Sequence, residues 1–450
     1  MNVEFSEVYE PLFDLLEARY IVSSEGFEEY YSKEEQKYWL DLSKVDTVLI
    51  SGGRDSGKSY SLSCFNTVAP VDYDHRILYT RQTMSSTDNS ITEALESRME
   101  MMGYSSKYDV ANKIYSVKNG IGKISITGQK TSVGTQTAKL KSLEDFSIFE
   151  TDEGEELESY DNWKKVKRSM RAKDVQTLSI IIFNPPTTDH WLYKEFYSSI
   201  EDGFNGVKDG VLYIHSTYLD NGKENMTESN WNEYEALRIN YELYENTPKD
   251  KRDTLPKKIV KDWKEYKYAI LGGFKNKAEG VVFDDWSKGE FNPDNLQTVF
   301  GQDYGFSNDP TTLAEISIDK KKKKIYIKEH LYKPRLKTSQ IAEVNNAHAG
   351  SKMIVGDSAE PRLINELRGY GCNMTEAKKP KGSITAGVMM MQDYELVVDP
   401  DSDNMIMELN NHVYADKTSK TYKDTYNHLI DAVRYAVYIM LSVGNPDTRF

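Results

Sequence analysis

In the first half of the chain, apolar residues occur in short runs that are separated by polar segments of helical length. The runs that predict strands cover residues 47–51, 76–80, 123–127, 147–151 and 178–183. The first run leads into a glycine-rich turn, and a helix is expected to follow from Gly57. Strands that alternate with helices in this way predict a mostly parallel sheet covered by helices. Residues 1–45 are polar and rich in tyrosine and glutamate, which predicts a helical N-terminal extension.

A second α/β pattern begins after a charged, aromatic segment of helical character. Three consecutive strands are predicted at 296–303, 311–318 and 324–332, and the lysine run 320–324 occupies the turn between the last two. Helices and strands then alternate: the predicted elements are a helix at 338–348, a strand at 352–357 and a long final helix at about 424–441. Three hairpin-linked strands followed by this alternation predict a ribonuclease-H-like order. We therefore expect three parts, at 1–215, 216–285 and 286–450.

The composition restricts the class of protein. No run approaches the roughly 20 apolar residues of a membrane helix, so we expect no membrane partner. Cys64 and Cys372 are the two cysteines of the sequence, which excludes a disulfide scaffold and fits a soluble intracellular protein. The net charge of −14 argues against DNA binding by the whole surface, because a negative protein repels the DNA phosphates. Basic clusters at 164–173, 320–324 and 378–381 are either local DNA tracks or solvated faces.

The clearest motif is a phosphate-binding loop that follows an apolar strand and opens a helix. Its residues are Gly52, Gly53, Arg54, Asp55, Ser56, Gly57, Lys58 and Ser59. The glycines let backbone N–H groups approach phosphate oxygens, and the start of the helix adds partial positive charge. Lys58 is expected to reach the β- and γ-phosphates of ATP, and the Ser59 hydroxyl to ligate Mg²⁺. The alternative is a glycine-rich turn that binds no ligand. Such a turn would not require all of residues 52–59 to match the phosphate-loop motif.

A phosphate loop of this kind needs a carboxylate for magnesium and usually a second one to activate water. Asp152 and Glu153 end the predicted strand 147–151 and suit these roles, with Asp152 on the metal and Glu153 on the attacking water. An acidic surface turn is the competing interpretation, because further glutamates surround the pair. The later strand ends at Asn184, whose amide could sense the γ-phosphate or simply belong to a turn.

Three acidic residues of the second half stand where carboxylates can converge. Asp303 and Asp357 each end a predicted strand, and Asp431 lies on the final helix beside an apolar stripe. Such a set could hold two magnesium or manganese ions and cut a phosphodiester, with all three residues both metal-ligating and catalytic. A structural or capping role for each acid is the alternative. His428, on the same helix, is expected to be a hydrogen-bonding neighbour rather than a ligand.

Taken together, these stretches resemble the large terminase subunit of tailed bacteriophages. The resemblance runs from about residue 45 to the C-terminus, and its segments are SGGRDSGKSY, TGQKTSVGTQTAKLKS, FETDEGEEL, FNPPTTDHWLY, STYLDN, GQDYGFSNDPTT, VGDSAEPRLI, PKGSITAG and NHLIDAVRYA, in the family's order. It implies a P-loop packaging ATPase followed by a ribonuclease-H-like nuclease. Lys58 and Ser59 match the family's phosphate loop, and the pair at 152–153 matches its acidic pair.

The same resemblance implies that Asp303, Asp357 and Asp431 are the nuclease carboxylates. It further implies ATP and Mg²⁺ as cofactors, with Mn²⁺ able to substitute in the nuclease site. The implied partners are double-stranded DNA, the portal and procapsid, the small terminase subunit and further copies of the chain in a ring. The implied location is the cytoplasm of the infected host cell.

Two positions depart from the family pattern. Asp55 stands where the loop commonly has glycine, and Gly154 replaces a small alanine after the acidic pair.

Two other classes of protein stay open at this point. One is a helicase or repair ATPase whose second half only binds DNA, and the other has an assembly module without metal in that half.

Overall fold

The chain folds into two compact units, Met1–Lys275 and Asn276–Phe450. The computed structural model describes residues 6–83, 90–130, 145–157, 159–173, 175–278, 280–293, 296–305, 309–415 and 421–442. Most of the segment TGQKTSVGTQTAKLKS, quoted for the resemblance, lies outside the described residues. Within the described part of the chain, no helix is long and apolar enough to cross a lipid bilayer.

The first unit alternates helices and strands after a helical start. In chain order its elements are α1 (Glu10–Ser23), α2 (Phe27–Tyr30), α3 (Lys33–Leu42), β1 (Thr47–Gly52), α4 (Lys58–Asp72), β2 (Arg76–Thr83), α5 (Ser90–Met101), β3 (Tyr108–Ala111), β4 (Ile114–Val117), β5 (Lys123–Lys130), β6 (Ile148–Thr151), α6 (Tyr160–Lys167), β7 (Leu178–Phe183), β8 (Gly206–Lys208), β9 (Val211–Ser216), α7 (Tyr218–Asn221), α8 (Glu228–Asn246) and α9 (Lys257–Glu265). All five strands predicted here are confirmed, as is the helical character of the N-terminal extension.

These strands form one sheet in the order β3-β4-β5-β2-β6-β7-β1-β9-β8. Six neighbouring strands pair in parallel, in the sheet order β5, β2, β6, β7, β1 and β9. Strands β3, β4 and β8 add antiparallel edges. Strands β1, β6 and β7 are buried along their whole length, which explains their continuous apolar runs. The prediction of a mostly parallel sheet is confirmed. As a consequence, the carboxyl ends of β1, β2, β6 and β7 lie along one edge.

In its described residues, the second unit contains a smaller mixed sheet and five helices. Its elements are β10 (Trp286–Lys288), β11 (Thr298–Gln302), β12 (Thr311–Asp319), β13 (Lys324–Lys333), α10 (Thr338–His348), β14 (Ile354–Gly356), α11 (Pro361–Gly369), β15 (Met374–Glu376), α12 (Ser383–Gln392), β16 (Glu395–Val398), α13 (Asp403–Asn411) and α14 (His428–Ser442). The sheet order is β10-β16-β13-β12-β11-β14-β15. Within it, β11, β12 and β13 form an antiparallel meander, and β14 and β15 add in parallel beside β11. The predicted ribonuclease-H-like order is confirmed.

The final helix begins later than the sequence predicts. It starts at His428 rather than near residue 424. Tyr426 has a φ of 56°, a left-handed backbone conformation that a right-handed helix cannot continue through. The apolar face of α14 is buried against the sheet, as the periodicity predicts; its buried members include Leu429, Val433 and Ala436.

Candidate functional site

The phosphate loop joins β1 to α4 with little space around its glycines. Gly57 has a φ of 83°, which favours glycine at the start of α4. A Cβ added at Gly52 would overlap the carbonyl oxygen of Ser216, and one at Gly53 would overlap that of Ile270. The two glycines are therefore required by close backbone approach as well as by the turn.

The Lys58 side chain folds back over the loop. Its Nζ donates hydrogen bonds to the carbonyl oxygens of Gly52 at 2.9 Å and Gly53 at 2.7 Å, and to the Ser56 hydroxyl at 3.1 Å. Burial lowers the pKa of Lys58 to about 8. Because these acceptors are carbonyl and hydroxyl groups, phosphate oxygens could replace them with a large electrostatic gain.

A cavity of about 340 Å³ unites the loop with the edge of the sheet. Besides the loop, its lining includes Arg81, Asp152, Glu153, Glu155 and Asn184. Apart from Gly52, every residue of the first unit that the sequence nominates for nucleotide chemistry lines this cavity. Asn184 donates to the Glu155 carboxylate at 3.0 Å, so its amide is fixed at the cavity wall.

The acidic pair is held by an arginine that the sequence reading did not nominate. Arg81 at the end of β2 contacts Asp152 Oδ2 at 2.6 Å and Glu153 Oε1 at 3.2 Å. The Tyr79 hydroxyl donates to the same Asp152 oxygen at 2.9 Å. Burial raises the pKa of Glu153, and the Arg81 cation opposes that rise. The sequence alone could not pair Arg81 with this acid, because it does not show that β2 and β6 are neighbours.

Asp55, the departure from the usual glycine, makes specific contacts with α8. Its φ is 54°, and its carboxylate accepts hydrogen bonds from the Tyr234 hydroxyl at 2.7 Å and the Asn230 amide at 3.1 Å. Asn221 donates to the Asp55 carbonyl at 2.9 Å. The phosphate loop is therefore tied to the helical segment that follows β9.

In the second unit, two of the three nominated acids lie side by side. Strands β11 and β14 are parallel, with Gln302 opposite Gly356, so Asp303 and Asp357 follow at matching positions. The Asp357 N–H donates to the Gln302 carbonyl at 3.1 Å, which extends the pairing to the acid itself. Both carboxylates consequently project from one sheet edge.

The third acid comes from α14, which lies very close to β11. A Cβ at Gly301 would overlap the carbonyl oxygen of Ala432 and lie 2.5 Å from its carbonyl carbon, so glycine is needed for this approach. Burial raises the pKa of Asp303, and the charges of Asp431 and Asp357 add to the rise. The three carboxylates therefore influence one another electrostatically.

Cationic and hydrogen-bonding side chains engage these acids. His428 Nδ1 lies 3.2 Å from Asp303 Oδ2, which confirms its expected role as a hydrogen-bonding neighbour. Lys379 forms an ion pair with Asp357 Oδ1. Arg434 binds Asp431 Oδ1 through Nε at 3.0 Å and a terminal nitrogen at 2.8 Å. The pairing roles of Lys379 and Arg434 were missed from the sequence.

Carboxylate oxygens are the ligands that Mg²⁺ and Mn²⁺ prefer, so the donor chemistry at this edge fits a divalent cation. In the described residues, however, no three His, Cys, Asp or Glu side chains are arranged to hold a metal directly. Asp357 and Asp431 each direct a carboxylate oxygen to a basic side chain instead. The metal assignment of the three acids stays a prediction.

Parts of the basic clusters have structural partners. Lys167 binds Asp46 at 2.8 Å and the Thr47 hydroxyl at 2.6 Å, and Lys324 binds Glu395 at 3.0 Å. The run 320–324 forms the hairpin turn between β12 and β13, as predicted. Lys167 and Lys324 thus hold secondary structure in place, and a DNA track in these clusters stays a prediction.

Comparison with known proteins agrees with both halves of this architecture. The sequence model described as phage terminase large subunit matches residues 44–280, and the one described as terminase RNAseH like domain matches residues 303–438. The large terminase subunit of Bacillus phage SPP1 is 25% identical over 421 residues, which cover 86% of this chain and 90% of that protein. The PBSX phage terminase large subunit of Bacillus subtilis (strain 168) is 23% identical over 432 residues, covering 91% and 92%.

Among solved structures, the HK97 bacteriophage large terminase is 10% identical with a TM-score of 0.46, covering 96% of this chain and 99% of that one. The first family match alone spans more than half of the sequence. The chain belongs to the phage terminase large subunit family.

Proposed function

We propose that this large terminase hydrolyses ATP to drive double-stranded DNA into a procapsid and cuts the DNA at a separate endonuclease site. The family places the chain in phage DNA packaging and favours this reading over a helicase or repair ATPase. The observation that carries the ATPase assignment is the single cavity that joins the phosphate loop to Asp152 and Glu153.

In the proposed ATPase site, Lys58 exchanges the carbonyl oxygens of Gly52 and Gly53 for the β- and γ-phosphates. Ser59 and Asp152 would hold Mg²⁺, which neutralises phosphate charge when bound. Glu153 orients and polarises the attacking water. Its raised pKa favours proton acceptance, which a fully solvated carboxylate performs less well. Arg81 keeps both carboxylates at the cavity wall.

In the proposed nuclease site, Asp303, Asp357 and Asp431 would hold two Mg²⁺ or Mn²⁺ ions. Such ions activate water and stabilise the leaving oxygen of a phosphodiester. The chain's own part is to position the carboxylates: the paired strands fix two of them, and α14 supplies the third. Lys379 and Arg434 neutralise two of the acids in the present conformation and must yield them to the cations.

We further propose the organisation that such a motor needs. The ATPase part would comprise residues 1–215, the helical segment 216–285 would link it to the nuclease part, and 286–450 would cut. The working form would be a ring of identical chains that engages the portal, the procapsid and the small terminase subunit in the host cytoplasm.

The two activities can be tested separately in the full-length protein. Lys58→Ala should abolish ATP hydrolysis and leave manganese-dependent plasmid cleavage intact, because cutting does not use ATP. Glu153→Gln should still bind ATP but hydrolyse it about a hundredfold more slowly, the scale of a positioned catalytic carboxylate.

Asp303→Asn, Asp357→Asn and Asp431→Asn should each stop plasmid cleavage with ATP hydrolysis retained. Asp393→Asn removes one exposed acid of the same unit and serves as the control. Normal cutting by two of the three site variants would refute the carboxylate cluster. Absence of Mn²⁺ binding in calorimetry would favour an assembly module in the second half.

A further inference from the structure

A basic groove lies on the helical segment of the first unit, away from the phosphate loop in sequence. It encloses about 430 Å³, and one wall carries Lys257, Lys261 and Lys264 from α9. Tyr244 and Arg252 complete the lining, together with two aliphatic side chains. The three lysines are exposed, and their spacing of four and three residues places them on one face of the helix.

Stacked and paired side chains form the far side of the groove. The Tyr244 and Trp263 rings stack with centroids 4.3 Å apart, and the Arg252 guanidinium lies 4.7 Å from the Tyr244 centroid. Arg252 also binds the Glu245 carboxylate at 3.1 Å. The groove is therefore formed in the free protein, so that binding a partner does not require a loss of conformational entropy to order these side chains.

Two acids of the same helices have other partners. Asp262 accepts a hydrogen bond from Asn240 at 2.6 Å, and Glu245 accepts one from the Trp263 indole at 2.7 Å. Over the described ranges of the chain, none of the three groove lysines has a carboxylate oxygen within 4.0 Å of its Nζ. Their positive charge consequently remains available to an external partner.

This sets the groove apart from the other basic clusters. Lys167 is bound to Asp46, Lys324 to Glu395 and Lys379 to Asp357. Each of those clusters has at least one lysine committed to holding the fold or a proposed site residue, whereas the committed cation of the groove is Arg252. On α9 the whole row of three lysines faces solvent.

We propose that the α9 groove binds the phosphate backbone of double-stranded DNA. A helix rises 1.5 Å per residue, so the row from Lys257 to Lys264 extends over about 10 Å. Duplex DNA carries one charge per about 1.7 Å of its axis, a density that suits a row of cations. With a net charge of −14, the protein needs such a local track to hold DNA. The inference rests on the proposed packaging function.

The test compares the full-length protein with Lys257→Gln/Lys261→Gln/Lys264→Gln. Binding of a fluorescent random-sequence duplex is followed by anisotropy over a series of salt concentrations. If each lysine contacts one phosphate, the slope of log affinity against log salt should become shallower by about 2.7. Lys33→Gln/Lys37→Gln/Lys44→Gln removes the same charge from exposed positions of the same unit and should leave the slope unchanged.

The outcomes separate this proposal from the proposed function. If the unaltered protein binds no duplex, the packaging function itself is contradicted. If it binds and the groove variant shows the same slope, the groove is not a DNA site. If the groove variant instead loses self-association in sedimentation, the surface docks an acidic face of a second copy, which overturns the proposal. If the triple variant unfolds at a low temperature, the single variant Lys261→Glu repeats the test. DNA-independent ATP hydrolysis, measured alongside, shows that the single variant is folded.

Discussion

Substitution of Gly301 by alanine tests whether close packing of α14 on β11 assembles the nuclease site. The added methyl would overlap the carbonyl oxygen of Ala432 and lie 2.5 Å from its carbonyl carbon. Comfortable carbon–carbon contacts are about 3.5–4.0 Å, so helix and strand must separate by about 1 Å or more. The adjacent Asp431 would move with the helix, away from Asp303.

The expected magnitudes differ for stability and activity. Overpacking of this kind typically costs about 1–3 kcal/mol of unfolding free energy. A displacement of about 1 Å in a catalytic constellation can reduce the rate about a hundredfold. Gly301→Ala should therefore remain folded with a lowered melting temperature, cut plasmid DNA about a hundredfold more slowly, and require more Mn²⁺.

The assay is manganese-dependent plasmid cleavage, measured well below the melting temperature of the variant, with ATP hydrolysis as an internal control. Gly369→Ala is the matched control, because no atom lies within 4 Å of a Cβ built there. Cleavage by Gly301→Ala at the unaltered rate, with the same Mn²⁺ dependence, would show that the approach of α14 does not position the site.

Three further predictions concern the first unit. Arg81→Ala should lower both the melting temperature and the turnover of ATP, because it leaves the buried carboxylate of Asp152 without its cation. Unchanged turnover in a steady-state assay would refute a positioning role for Arg81. Burial lowers the pKa of Lys58 to about 8, and bound phosphate should raise that pKa again. ATP binding above pH 8 should therefore take up a proton and weaken as the pH rises. Calorimetry in buffers of different ionisation enthalpy measures the proton uptake, and an equal heat of binding in all buffers would contradict it. Lys167→Gln should lower the melting temperature through the lost contact with Asp46 while the salt slope of DNA binding stays constant; a shallower slope would return Lys167 to a DNA track.

The residues that the sequence placed most reliably are those whose role follows from local order. The phosphate loop needs only a strand, its glycines and a helix start, all contiguous in the chain. Asp303 and Asp357 follow apolar runs, and the register of β11 with β14 then sets them side by side. The sequence could nominate them because a carboxylate at a strand end is a local pattern.

The residues that were missed depend on approach between distant segments. Arg81 meets Asp152 because β2 and β6 are neighbours, and strand order is not visible in a single sequence. Lys379 meets Asp357 across 22 positions of the chain, within a cluster that resembled a solvated face. The start of α14 was misplaced because a left-handed tyrosine, Tyr426, leaves no compositional mark.

Asp55 shows how a departure from a motif can be stabilised by its surroundings. A non-glycine residue in the left-handed region costs about 1–2 kcal/mol, less for aspartate than for most residues. Each hydrogen bond that its carboxylate accepts from Tyr234 and Asn230 contributes about 1 kcal/mol, enough together to offset that strain. Glycine at this position would relieve the strain and lose both contacts. The aspartate is therefore accounted for by attachment of the phosphate loop to α8, and its presence does not argue against nucleotide binding.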